Sequence, residues 1–406
     1  MKILVSCYAC SPYRGSEPGM GWNFVRSLSN KHELHIITES KFQSGLEHYF
    51  SEHPEERKAY HFYFIQKERH KLLRKIWPPS YYWYYQKWQR SAFEFARELD
   101  AKENFDVIHQ LNMAGFREPG YLWKLNKPLV WGPIGGMHQS PWKLLPYIGL
   151  YGMVYYGFRN LLNLKDIYLK RLPRIMARHS SAIIAATQDA QTVVREVWKK
   201  DAVLIPEAGL STDLDSFMES TKRGDHLKIV WSGQHTPSKA LNLLLDALAE
   251  CKNKERMVLH VLGQGKYTQR WKKRAVQNNL EQVVWYGWIE KEKAIDVMRS
   301  CDVLCITSMA DLTSTVLLEG LSCGLPVIAM NLFGFANTIT DKCGIKIDVH
   351  SKKQVVHDFA RALDMLCENE KLRKSLSKGA IERVKEYSWE KKAQQIDEIY
   401  QQVVKK

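Results

Sequence analysis

Asp311 and Glu319 bracket a run of hydroxyl and apolar residues, Leu312-Thr313-Ser314-Thr315-Val316-Leu317-Leu318, followed by Gly320-Leu321-Ser322-Cys323-Gly324-Leu325-Pro326-Val327-Ile328. Thr313 or Ser314 can cap a helix, Gly324 suits the position just past its end, and Pro326 stops it from running into the next strand. The unpaired amides at such a helix start, near Ser314, Thr315 and Val316, suit a diphosphate, and a carboxylate lies on each side of them. Upstream, Ser232-Gly233-Gln234-His235-Thr236-Pro237-Ser238-Lys239-Ala240 follows one apolar run and precedes an amphipathic one. Lys239 at a helix start opposes the helix dipole, a local frustration that a function toward anions would explain.

Further loops carry weaker signals of the same kind. Leu262-Gly263-Gln264-Gly265 and Tyr286-Gly287-Trp288-Ile289 each end an apolar run, with glycines that permit close backbone approach and Trp288 or Ile289 available to cover a flat ring. Near the start, Cys10-Ser11-Pro12-Tyr13-Arg14-Gly15-Ser16-Glu17-Pro18-Gly19 joins a strand to a helix and contains the charged pair Arg14 and Glu17. His109 ends the run Asp106-Val107-Ile108, Asn112 follows it, and His138 closes Trp131-Gly132-Pro133-Ile134-Gly135-Gly136-Met137. Each imidazole suits either a site role or a satisfied core or surface position. Cys7-Tyr8-Ala9-Cys10 has metal or redox spacing, but no second pair completes a zinc site, so all eight cysteines read as reduced and structural.

The Asp311 to Ile328 segment resembles the paired-acid motif and following Gly-x-Pro-Val of retaining glycosyltransferases of family 4, the glycosyl transferases group 1 of bacterial surface-polysaccharide synthesis. The resemblance implies a GT-B architecture, two facing doubly wound α/β domains with a cleft between them. It implies a nucleotide-diphosphate sugar as donor, with Glu319 on the ribose, Asp311 on the transferred sugar and the intervening amides on the diphosphate. Asp311 stands where the family carries Glu. The segment from Gly233 to Lys239 is similar to the family's Gly-Arg-x-x-x-x-Lys-Gly loop, with Gln234 in place of the Arg and Lys239 as the cation for the leaving group. By the same resemblance Gly15, Glu17, Gly263, Trp288 and Ile289 line the donor, Arg14, Asn112 and His138 are acceptor-side candidates, and His109 joins Asp311 and Lys239 as a catalytic candidate. No cofactor and no metal is implied, since no Asp-x-Asp pair stands at a strand end. The same resemblance implies a glycan or a polyprenyl-linked sugar as acceptor. An epimerase or hydrolase of nucleotide sugars, or a non-catalytic binding partner, remains compatible with the same motifs.

The elements that must position these residues are legible from periodicity. Short apolar runs alternate with helical patterns, the signature of parallel sheets covered on both faces. Strands are expected at 3–7, 34–38, 61–65, 107–110, 129–131, 182–186 and 202–205, then at 228–231, 257–262, 283–286, 303–306, 327–330 and 344–347. The polar stretch Ser211 to Asp225 reads as a linker, which divides the chain into residues 1–210, an acceptor-binding domain, and 226–386, a donor-binding domain. Residues 387–406, opening Tyr387-Ser388-Trp389-Glu390, resemble the family's terminal helix that crosses back to the first domain.

At 406 residues the chain is long enough for two cores, and 59 Lys plus Arg against 44 Asp plus Glu gives a formal charge of +15, which implies an anionic partner. The opening Met1-Lys2-Ile3-Leu4-Val5 contains no signal peptide, so a cytoplasmic location is expected. Between Lys67 and Arg90 seven cations interleave with seven aromatics, and residues 144–158 are uncharged but too short to span a bilayer. Both fit peripheral contact with an acidic membrane at its inner face. Nucleic acid is disfavoured for want of a binding module, and the aromatics also fit helix faces turned into a core.

Overall fold

The computed structural model of the chain describes residues 1–69, 71–77, 80–210 and 226–405. The expected linker, Ser211 to Asp225, lies outside the described residues. The chain divides into two compact units. The first comprises Met1–Met137, Leu164–Gly209 and Trp389–Lys406, and the second His138–Asn163 and Leu210–Ser388.

In the first unit seven strands form: β1 (Lys2–Cys7), β2 (Glu33–Glu39), β3 (Tyr60–Ile65), β4 (Val107–Asn112), β5 (Leu129–Ile134), β6 (Ala182–Ala185) and β7 (Val203–Leu204). They lie in the order β3-β2-β1-β4-β5-β6-β7, and every pair is parallel. Helices cover both faces of such a sheet, which is why Ile3, Leu4, Val5, Ile36, Ile37, Ile108 and Val130 are buried without alternation. The helix Trp389–Val404 belongs to this unit. It sets Ala393, Ile396, Ile399 and Tyr400 into the same core as β1 and β4, and its buried Lys392 donates to the carbonyl oxygens of Pro206 and Ala208.

The second unit repeats the scheme with β8 (Leu227–Ser232), β9 (Met257–Leu262), β10 (Val283–Gly287), β11 (Val303–Ile306), β12 (Val327–Met330) and β13 (Gly344–Ile347), ordered β10-β9-β8-β11-β12-β13 and again parallel. All thirteen strands fall where the periodicity expects them. In both sheets the first strand of the unit sits where the winding reverses, between β1 and β4 and between β8 and β11. Ligands of doubly wound sheets bind beyond the strand carboxyl ends at that reversal.

One expected boundary is corrected. Residues 138–163 do not belong with the first unit but with the second, because Leu144, Leu145 and Ile148 enter the core beneath the helix Leu241–Glu250. Tyr147 ties them down, its hydroxyl donating to the Asp246 carboxylate while its carbonyl accepts from Asn242 Nδ2 at 3.3 Å. The helix Gly149–Leu169 follows, and Leu150, Tyr151, Val154, Tyr155, Phe158 and Leu161 stand exposed along it. Among the described residues no helix is long and apolar enough to cross a membrane. The eight cysteines are free and buried.

Candidate functional site

The loops that follow β8 and β11 meet at the reversal point of the second sheet. After β8 the chain makes a 3-10 turn, Pro237–Lys239, then passes through Ala240 at φ 45° into the helix Leu241–Glu250. Two hydrogen bonds bind this turn, and a third binds β8 itself, to the loop after β11. Thr307 Oγ1 donates to the Lys239 carbonyl at 2.7 Å, Met309 N donates to the Ser238 carbonyl at 2.7 Å, and the buried Trp231 Nε1 donates to Thr307 Oγ1 at 3.0 Å. Lys239 is thereby held against Asp311, with Nζ 2.5 Å from Oδ2 and both side chains about a fifth to a quarter exposed. The two residues singled out for the leaving group and the sugar are direct partners.

Asp311 leads into the helix Thr315–Ser322, whose N-cap is Ser314. Ser314 has the extended backbone of a cap, yet its side chain makes no capping hydrogen bond. A first turn left uncapped keeps amide donors available to an anion. The helix ends as the sequence implies, with Gly324 at φ 69° and the Leu325 amide donating back to the Gly320 carbonyl at 3.0 Å. Gly320 lets the helix close on β11, since a Cβ there would stand 2.3 Å from Leu304 Cδ2. Glu319, one turn in, is mostly buried, and its Oε1 lies 3.5 Å from Nζ of the exposed Lys291.

The glycine loops fit together backbone against backbone. Gly263 has φ 102°, and a Cβ on it would sit 2.1 Å from the Gly233 carbonyl oxygen. Its amide donates to the Gly287 carbonyl at 2.8 Å. Gly233 in turn lies against the Lys239 stem. His235 anchors this stack from below. Wholly buried among Trp231, Trp271 and Trp285, it pairs through Nδ1 with Thr268 Oγ1 at 2.8 Å, and burial holds its pKa down to about 4. Gln234 is exposed on the outer side, and Trp288 is 70% exposed, an indole with a free face beside the loops.

Two contributors carry no signal in the sequence. Phe333 adopts φ 54° and is buried, and the adjacent Gly334 packs so closely on the Leu312–Thr313 backbone that a Cβ would meet the Leu312 carbonyl oxygen at 2.8 Å. A phenylalanine in the left-handed region is uncommon, so nothing local announces this turn. Lys291 reads from sequence as one more cation in an exposed helix.

The first-unit candidates divide differently. His109 is fully buried. Its Nε2 lies 2.7 Å from the Gly132 carbonyl and its Nδ1 2.5 Å from the Tyr400 hydroxyl. A carbonyl only accepts, so Nε2 carries the proton and Nδ1 accepts from Tyr400. Burial lowers the pKa of the ring to about 4, against a smaller opposing effect of the Gly132 hydrogen bond. Both nitrogens are spent, and His109 is a core residue rather than a catalytic one. Asn112 is likewise structural, with Nδ2 donating to the Ala9 carbonyl at 2.8 Å and Oδ1 accepting from the Ala9 amide at 3.3 Å. His138 falls in the second unit, where its ring lies 4.6 Å from that of Phe333 and its carbonyl accepts from Asn163 Nδ2. It belongs to the second unit and not to the first, where the sequence places it.

Glu17, Arg14 and Gly15 remain at the carboxyl end of β1. Glu17 Oε1 accepts from the Ala114 amide at 2.5 Å, and burial raises its pKa although that amide opposes the shift. Arg14 is exposed, with its guanidinium 5.7 Å from the Phe42 ring centre, and nothing crowds Gly15. Side-chain groups able to hold a metal, among the described residues, are Glu33 with His35 and His61, and His53 with Glu55 and Glu56, all in the first unit and apart from these candidates.

Residues 214–383 match the family model described as Glycosyl transferases group 1. The matched stretch, less than half of the chain, is similar to that family. It contains every second-unit candidate except His138. An uncharacterized glycosyltransferase of Methanocaldococcus jannaschii is 26% identical over 180 residues, covering 44% of this chain and 49% of that protein. A phosphatidyl-myo-inositol mannosyltransferase of Mycobacterium leprae is 26% identical over 230 residues, covering 54% and 59%. The chain therefore spans about half the length of these curated relatives. The fold extends further than the sequence likeness. Anabaena HepE in complex with UDP superposes with a TM-score of 0.62 over 98% of this chain and 99% of its own at 16% identity. A glycosyltransferase from Rickettsia africae gives 0.64 over 100% and 98% at 15%. The two Rossmann-like units thus have the GT-B fold class.

Proposed function

We propose that the protein is a retaining glycosyltransferase of family 4 that moves a sugar from a nucleotide-diphosphate sugar to a glycan or lipid-linked acceptor, in the synthesis of a surface polysaccharide. The observation that carries the reading is the Lys239–Asp311 pair, held at the reversal point of the second sheet beside an uncapped helix start. In this mechanism the donor diphosphate lies between the Lys239 ammonium and the amides near Ser314, Thr315 and Val316. Glu319 binds the ribose hydroxyls and Asp311 a hydroxyl of the sugar. Trp288 and Ile289 cover the base. As the glycosidic C–O bond breaks, charge develops on the departing phosphate, where a fixed ammonium and a helix start act without a metal. Attack from the same face lets that phosphate accept the proton of the incoming hydroxyl, so configuration is retained and no protein base is required.

A thermal-shift screen of nucleotide diphosphates and nucleotide sugars without metal tests the donor site. UDP and UDP-glucose come first, since solved structures of Anabaena HepE contain them. At a hundredfold excess over Kd a ligand stabilises the folded state by about 2.7 kcal/mol, a shift of several degrees. One nucleotide is expected to give that shift with the wild type and little with Glu319→Ala. Equal shifts in both proteins would remove Glu319 from the site.

We further propose that the enzyme works on the cytoplasmic face of the membrane, in peripheral contact with acidic lipid. The support lies on the helix Gly149–Leu169, where Tyr151, Tyr155 and Phe158 are exposed. The earlier aromatic segment contributes less than its composition implies, because Tyr85 and Trp88 are buried and Trp88 Nε1 donates to the Ile65 carbonyl. Trp77, Tyr82 and Trp83 do remain exposed. Flotation with vesicles containing phosphatidylglycerol is expected to carry the wild type and to carry Tyr151→Ser/Tyr155→Ser/Phe158→Ser at least fivefold less. Undiminished flotation of the triple variant would overturn the assignment to this helix.

A further inference from the structure

The carboxyl ends of β1, β2 and β3 in the first unit converge on a buried ammonium that the proposed transfer does not use. Lys67, two residues beyond β3, is 5% exposed. Its Nζ donates to the Tyr8 hydroxyl at 3.2 Å and sits 3.5 Å from the centre of the Tyr81 ring, with the Tyr85 ring at 5.7 Å. Around it stand further cations. Lys41 Nζ is 5.3 Å from the same Tyr8 ring, the Arg74 guanidinium is 5.2 Å from the Tyr81 ring, and Arg69 reaches Glu39. Glu39 is mostly buried and shared, pairing with both Arg69 and Lys41, the latter at 3.2 Å. Glu68, next in sequence to Lys67, pairs outward with Lys87 at 3.0 Å. Among the described residues Lys67 has no carboxylate within ion-pair distance.

Four cations with one carboxylate between them, in a setting where one ammonium is out of water, is an unfavourable arrangement for an empty protein. Burial, then the charges of Lys41 and Arg69, holds the Lys67 pKa down to about 7. A buried lysine balanced only by a phenol and ring faces has donors left over, and an oxyanion of charge near −2 would satisfy them together with Lys41, Arg69 and Arg74. A single carboxylate supplies half that charge. The tyrosine rings flanking the ammonium provide flat surface for whatever carries the anion. The location is the ligand-binding end of a doubly wound sheet.

We propose that the first unit binds a phosphate group of the acceptor at Lys67, Lys41, Arg69 and Arg74, beside Tyr8 and Tyr81. The assignment of that phosphate to the acceptor rests on the transferase reading above; the anion site itself does not. Calorimetric titration of the full chain with inorganic diphosphate separates the two. Lys239→Ala removes the donor-side cation, so diphosphate binding that survives in Lys239→Ala and weakens at least tenfold in Lys67→Met places the anion at Lys67. Arg69→Gln, an exposed-side change that leaves the buried lysine in place, is expected to weaken it severalfold and guards against misfolding of Lys67→Met. Binding abolished by Lys239→Ala and untouched by both first-unit variants would overturn the proposal, as would no binding to any of them. Vesicles containing phosphatidic acid then identify the source. Displacement of diphosphate by them, and not by phosphatidylcholine vesicles, points to a phosphate borne on lipid, and no displacement to a soluble phosphorylated acceptor; either supports the site.

Discussion

Lys239→Ala is expected to lower kcat for sugar transfer by about a hundred- to a thousandfold, the cost of removing one fixed charge from a site where charge develops on the leaving group. The fold should survive the change. The Lys239–Asp311 pair is a fifth to a quarter exposed, and a solvent-reached ion pair contributes about 1 kcal/mol or less. Steady-state kinetics with the donor found by the nucleotide screen, beside urea unfolding of both proteins, make the measurement. A rise in KM with kcat unchanged would mean that Lys239 holds the donor equally in the ground and transition states, and the leaving-group role would be withdrawn. Asp311→Asn provides the complementary readout. It leaves Lys239 charged but unpaired, so diphosphate affinity should hold while turnover falls, because the sugar loses its carboxylate and the ammonium loses the partner that aims it.

Gly263→Ala should destabilise the protein by at least about 2 kcal/mol and weaken nucleotide binding at least tenfold. The first effect follows from backbone strain at φ 102°, a region that costs an ordinary residue about 1–3 kcal/mol, together with the contact to Gly233. The second follows from what the displaced backbone supports. Gly233 cannot move without disturbing the Lys239 stem that lies on it. Gly15→Ala is the control for stability, because nothing lies within 4 Å of a Cβ at that position and its φ is −72°. Urea denaturation of the two variants should differ by the full 2 kcal/mol or more, and near-identical midpoints would contradict the close approach of the two loops.

Residue by residue, legibility followed the range of the interactions involved. The helix Thr315–Ser322 could be read because its start, stop and following strand are set by Ser314, Gly324 and Pro326, all within a few residues. Gly263 announced a close backbone approach and Gly324 a helix end, whereas Ala240 and Phe333 adopt left-handed backbone with no announcement at all. Lys239 and Asp311 were each recognisable, but their 2.5 Å contact depends on β8 and β11 being neighbours in the sheet.

The sequence by itself determined the thirteen strands, the two parallel sheets and the placement of the candidate residues of the second unit at strand ends, because apolar runs and turn residues act locally and parallel sheets bury both faces. Only the tertiary structure decided which polar residues are spent internally. His109 looks like a site histidine until Tyr400, 291 residues away, occupies one nitrogen and Gly132 the other. Residues 138–163 read as part of the first domain until Leu144, Leu145 and Ile148 find their core in the second. Lys67 reads as one cation in a basic run until three strand ends and a helix enclose it. Burial of a polar group is a property of what the distant chain brings against it, and no local pattern encodes that.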